Sequence, residues 1–146
     1  MEENIINLNK FLSELEIMSV KLQNYHWNVQ GSNFFTIHSK LEEYYDEIRE
    51  QIDEIAEHIL IIDGQPLGTM HDYLDIAQIQ EAQNEKICSR KIYETILKDY
   101  NILIENVTKI KEDADNANKY ATSALMDEYL QDFGKKVWMI RQLLMK

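Results

Sequence analysis

The stretch FFTIHSKLEEYYDEIREQIDEIAEHILII, residues 34–62, decides how the rest of the chain is read. Ile37, Leu41, Tyr44, Ile48, Ile52, Ile55, Ile59 and Ile62 recur in it at steps of three and four. At about 3.6 residues per turn that spacing returns to one side of an α-helix, so the segment predicts a long amphipathic helix. On a wheel of about 100° per residue with His38 at the origin, the apolar stripe occupies roughly 240° to roughly 320°. A second face lies well away from it, with Glu42 at about 40°, Asp53 at about 60° and Glu57 at about 100°. A solvated face needs charge, but it does not need a histidine aligned with carboxylates.

Outward from this helix the same period continues on both sides. Upstream, Leu8, Leu12, Leu15, Met18, Leu22, Tyr25 and Val29 predict a first helix, closed by Gly31, Ser32 and Asn33, and Asn33 is placed to cap the helix that follows. Downstream, DGQPLG at 63–68 stops the second helix. A third is expected from about residue 86 to 114 on Ile92, Ile96, Tyr100, Leu103, Val107, Ile110 and Ala114. A fourth, from about 118 to 145, follows from Leu125, Tyr129, Phe133, Val137, Ile140 and Leu144. The connection TMHDYLDIAQIQEAQNE is too long for a hairpin, and DYLDIAQI within it predicts a short extra helix. With no repeat, low-complexity tract or linker, residues 1–146 read as one domain. The expected fold is all-α: a four-helix bundle of the ferritin type, with a long central crossover carrying a short extra helix.

Composition bounds the function. The 146 residues are 45% hydrophobic and 28% charged, with 4 Gly and 1 Pro, an ordinary balance poor in turn material for a multi-stranded sheet. The formal net charge of −11 argues against a protein whose main task is holding nucleic acid, and suits one that draws cations. Cys88 is the one cysteine, so no intramolecular disulfide forms and no C-x-x-C motif exists. The opening MEENIINLNKF is acidic where a secretory segment is basic and then apolar, and no apolar run approaches the ~18 residues of a membrane span. The expected home is the cytoplasm.

Distance along the second helix sets the form of any metal site. Glu42 and Asp53 stand about 16 Å apart at ~1.5 Å rise per residue, too far for one ion with bonds of ~2.0–2.6 Å. His38/Glu42 and Asp53/Glu57 are therefore separate half-sites within one chain. A two-fold axis through the middle of this helix, near Ile48, sets one chain's histidine end against its partner's Asp53 and Glu57, giving two complete sites per dimer. His26 closes the first helix across the Gly31–Asn33 turn from His38, so both rings can reach one region. Two imidazoles, carboxylates and room for water suit a redox-active iron(II) site, while a structural zinc site usually takes four protein ligands, often thiolates. A di-iron centre built inside one bundle needs Glu-x-x-His pairs, and Gln23, Phe35, Ile55 and Gly68 stand three residues before the histidines.

YHWNVQGSNFF at 25–35, then His38, then DEIAEHIL at 53–60 with GQP just after, resembles the Dps family of mini-ferritins, the DNA-protection-during-starvation proteins. The likeness covers nearly the whole chain, including a tryptophan near the end, Trp138. It implies a homo-oligomeric shell of twelve subunits with ferroxidase centres, di-iron or mononuclear, at two-fold dimer interfaces. Iron(II) would be oxidised there, with hydrogen peroxide or dioxygen as oxidant, and stored as a ferric mineral. This protects against oxidative stress by removing both reagents of Fenton chemistry. Carried over, His26, His38 and Glu42 come from one subunit, and Asp53 and Glu57 from its partner. The family commonly has Asp where Glu42 stands, and Glu reaches one methylene further. Asp46, at about 80° on the same face, is an auxiliary ligand or simply solvated. The resemblance implies electron transfer or radical trapping for Trp27, which also fits interface packing. His58, at about 200°, is expected at the surface or an interface, and His71 has no assigned role.

Two departures narrow the reading. DNA-binding members often carry a Lys/Arg-rich tail, and neither MEEN nor LLMK is one, so DNA binding is not expected. The family's acid-lined entry pore aligns in part to Ala124, leaving Asp115, Asp127 or Glu128 to supply a negative field. Three functions compete: a ferroxidase and storage shell, a nucleoid-binding shield for DNA, and a bundle with no metal. The second meets the charge of −11. The third leaves the spacing of His26, His38, Asp53 and Glu57 without a cause.

Overall fold

Residues 2–145 are described by the computed structural model. Glu3–Asn28 (α1) and Phe34–Ile61 (α2) pack as one helical hairpin, and Ser89–Asn116 (α4) and Tyr120–Leu144 (α5) as a second. The crossover between them carries Met70–Ile76 (α3), started by Thr69, whose hydroxyl accepts from the Asp72 N–H at 3.2 Å. The four-helix bundle with an extra helix in its long crossover is thus as expected.

The apolar stripes meet inside. Leu8, Leu12, Leu15, Leu22, Leu41, Ile48, Ile55, Ile59, Tyr100 and Phe133 are buried almost completely. Ile52, Ile62, Leu125, Val137 and Leu144, expected as core, are only half-buried against it. Polar groups span the gap between α2 and α5. Lys136 meets Glu47 at 2.6 Å, Gln51 donates to Asp132 at 3.2 Å, Tyr129 donates to Glu54, and His58 pairs with Thr122 at 2.8 Å. These run in opposite order along the two helices, so α2 and α5 are antiparallel and zipped by hydrogen bonds.

The crossover is tied down by side chains from α1. Glu14, fully buried, accepts from the backbone N–H groups of Gln78 and Ile79 at 2.7 and 2.9 Å. Asn9 donates to the Gln65 carbonyl and accepts from the Leu67 N–H, holding the turn after α2. Farther on, two-residue strands Val29–Gln30 (β1) and Ile87–Cys88 (β2) pair in parallel, with Val29 against Ile87. This short ladder pins the α1–α2 turn to the start of α4.

Candidate metal centre

The turn between α1 and α2 brings His26 and His38 face to face. Gly31 takes φ +117°, a conformation L side chains rarely adopt, and Asn33 follows at φ 65°. Asn33 stands at the N-cap of α2 but makes no side-chain cap bond, contrary to expectation. Its left-handed backbone makes the turn, and its carbonyl accepts from the Ile37 N–H at 3.0 Å.

The imidazoles stack at 3.7 Å between centroids, 13° from parallel. Each reaches across to the other's backbone: His26 Nδ1 lies 2.6 Å from the His38 carbonyl, and His38 Nδ1 lies 2.8 Å from the His26 carbonyl. A carbonyl oxygen can only accept, so both Nδ1 atoms carry hydrogen. In the neutral rings both Nε2 atoms then keep a free lone pair, the form in which imidazole binds a metal. Phe34 stacks on His38 at 5.0 Å and Tyr45 meets His26 edge-on at 5.5 Å, which fixes both planes.

Glu42 completes this cluster, with Oε1 3.6 Å from His26 Nε2. Donors about 2.1 Å from a common ion stand about 3.0–3.5 Å apart, so this pair needs little movement to share one. The Tyr45 hydroxyl reaches Glu42 Oε1 at 3.5 Å. Burial, then the Glu42 and Asp46 carboxylates, raise that phenol above its ordinary 10.0, keeping it a donor. Arg49 lies over the other side of the Tyr45 ring, its Cζ 4.5 Å from the centroid. Tyr45 and Arg49 were missed in the sequence, although the wheel puts Tyr45 at about 340°, on the edge of the ligand face, and Arg49 at about 20°, within it.

Asp53 and Glu57 are not brought to the histidines. Both are exposed, more than two turns down α2, in an open depression of about 590 Å³ shared with Glu50, Glu54 and Ile61. Among the described residues of one chain, no three His, Cys, Asp or Glu side chains form a group that could hold an ion. Asp46 is exposed on the same helix face, and Trp27 beside His26 is 64% exposed.

Other expectations are corrected. His58 is not at the surface: α5 covers it, it is buried against Thr122, and burial lowers its pKa. Of the entry-pore candidates, Lys111 pairs with Asp127 at 3.0 Å and Asp115 at 3.7 Å, which neutralises much of their field. Glu128 and Ala124 are exposed, as is His71 on α3. Cys88 is exposed at the N-cap of α4. Among the described residues no helix is long and apolar enough to cross a membrane.

Comparison with known proteins agrees with this architecture. A ferritin-like domain model matches residues 5–146. DNA protection during starvation protein 2 of Bacillus anthracis is 40% identical over 145 residues, 99% of each chain. The Dps protein of Vibrio cholerae O1, described as a member of a broad superfamily of ferritin-like diiron-carboxylate proteins, superposes with TM-score 0.94 at 34% identity. It covers 98% of this chain and 89% of that one. A Dps protein from Bacillus brevis gives TM-score 0.94 at 33% identity, covering 99% and 100%. The chain belongs to the ferritin-like proteins, as a mini-ferritin of the Dps family.

Proposed function

We propose that the protein is a ferroxidase and iron store, with iron(II) as its substrate, acting at centres shared between two subunits. His26, His38 and Glu42 of one chain and the partner's Asp53 and Glu57 would hold the metal. The reciprocal hydrogen bonds between the two histidines carry the reading, because they occupy both Nδ1 atoms and leave each Nε2, in the neutral ring, as the donor open to a metal, with Glu42 beside that of His26. Imidazole nitrogen suits iron(II), and carboxylate oxygen accepts iron(III) as charge accumulates. Two iron(II) ions give up one electron each, and hydrogen peroxide with two protons takes both to become two waters; dioxygen is the slower alternative. Ferric product would collect inside a closed homo-oligomer, a dodecamer on the family pattern. Removing iron(II) and peroxide together protects DNA without touching it, which accords with the starvation-protection name of the Bacillus anthracis relative.

Complementation tests the shared centre. The variants His26→Ala/His38→Ala and Asp53→Ala/Glu57→Ala should each lose rapid iron oxidation by peroxide, read as ferric absorbance. In a mixed dimer one centre combines both lesions, and the other joins intact histidines to intact acids. After dissociation and reassembly, random pairing should return about a quarter of wild-type activity. No recovery after verified subunit exchange overturns the proposal.

A further inference from the structure

We infer that Asp46 and Arg49 form two reciprocal ion pairs with a second copy of this chain, and that these set the register in which two chains complete their centres. The inference rests on the divided centre proposed above. In a two-fold pair of antiparallel helices, each step toward the C-terminus in one is a step toward the N-terminus in the other. Once position 38 faces 57 and 42 faces 53, position 46 must face 49. Both lie on the ligand face, at about 80° and about 20° on the wheel, and within about 3 Å of the symmetry axis measured along α2. Contacts so close to the axis survive any crossing angle, whereas those at the helix ends depend on it.

The side chains are prepared for this contact. Arg49 rests on the Tyr45 ring with Cζ at 4.5 Å and donates from Nε to Ser19 Oγ at 3.3 Å, which leaves both Nη groups for a carboxylate. Among the described residues Asp46 has neither an ion-pair nor a hydrogen-bond partner in its own chain, and it is exposed. Glu16 of α1 competes for Arg49: burial raises the Glu16 pKa and Arg49 lowers it. Without Arg49 the face carrying Glu42, Asp46, Asp53 and Glu57 would meet its own copy as acid against acid. The same register also sets Phe35, 84% exposed, toward the partner's Leu60, a position 55% exposed in the single chain.

Charge reversal tests the pairing in chelated, iron-free buffer. Asp46→Arg or Arg49→Asp alone puts like charges in both central contacts, and each should need at least about tenfold more protein to assemble, by sedimentation or native mass spectrometry. The double swap Asp46→Arg/Arg49→Asp should restore assembly. Mixing the two single variants should also restore it as heteromers, since two positive positions on one chain then face two negative ones. Normal assembly of the single variants, or no recovery in both the swap and the mixture, overturns the inference. Should Arg49→Asp lose its helical circular dichroism, Asp46→Arg against Asp46→Ala decides: reversal must weaken assembly far more than truncation, with added salt narrowing the gap, and equal effects overturn the pairing. The two proposals fail separately. Activity recovered in the histidine/acid mixture with no response to charge reversal removes the ion pairs and leaves the shared centre. Reversal and rescue with an inactive mixture removes the shared centre instead.

Discussion

A histidine offers a metal only the ring nitrogen that carries no hydrogen, so whatever fixes the hydrogen prepares the ligand. Here each histidine is fixed by the backbone of the other, and Tyr45 links His26 to Glu42. Tyr45→Phe keeps the ring under Arg49 and against His26 but removes the hydroxyl contact to Glu42. Initial rates of iron oxidation should fall by on the order of tenfold or less, with assembly unchanged. An unaltered rate would show that the hydroxyl contributes nothing. Gly31 is a sharper case, because a Cβ there meets no atom within 4 Å yet the backbone sits at φ +117°. Gly31→Ala should therefore cost about 1–3 kcal/mol through backbone strain alone, visible as a lowered calorimetric midpoint. The same turn should loosen the histidine pair and slow oxidation.

Among the elements, the crossover depends on one buried side chain. Glu14 accepts from two crossover N–H groups and approaches Asn106 at 3.4 Å. Glu14→Ala strands these buried donors and should cost about 3–5 kcal/mol in denaturant unfolding, with faster amide exchange at Gln78 and Ile79. Glu14→Gln retains one acceptor oxygen and should cost less; equal losses would argue against the hydrogen-bond account. This tie was illegible in the sequence, because Glu14 lies inside an apolar stripe and its partners are sixty or more positions away. That His38, Glu42, Asp53 and Glu57 share one side of α2 was legible, since one helix carries them and one period displays them. His58 misled for the complementary reason: a wheel shows a residue's direction and not which helix will lie over it, and here α5 does. Asn33 was read by its cap preference, but the turn used its tolerance of a left-handed backbone instead.

Across the whole molecule, charge and burial govern solution behaviour. Burial raises the phenols of Tyr93, Tyr100 and Tyr129 above the ordinary 10.0. A group that holds its proton more tightly when folded supports the fold below its unfolded value and loses that support as pH climbs through its folded one. Stability should therefore fall above pH 10, and part of the phenolate absorbance should appear only together with loss of helical circular dichroism. Phenolate formation complete before any helix is lost would contradict the burial of these rings. With a net charge of −11 per chain, the assembled protein should not retard duplex DNA at physiological salt. Divalent metals must be chelated in that gel-shift, because they can bridge acids to phosphates, and a salt-sensitive complex in their absence would refute the expectation.

The parallel ladder of Val29–Gln30 with Ile87–Cys88 also bears on how the chain is made. A ribosome delivers α1, the histidine-bearing turn and all of α2 before it reaches the strand that latches them. Until then the turn keeps an open edge, and its two rings are held only by each other and by Phe34 and Tyr45 of α2. The growing polypeptide therefore passes through a stage in which the histidine pair exists but the ladder behind its turn does not. That stage ends when the start of α4 is synthesised, so the order of translation leaves the turn unlatched until more than half of the chain is present.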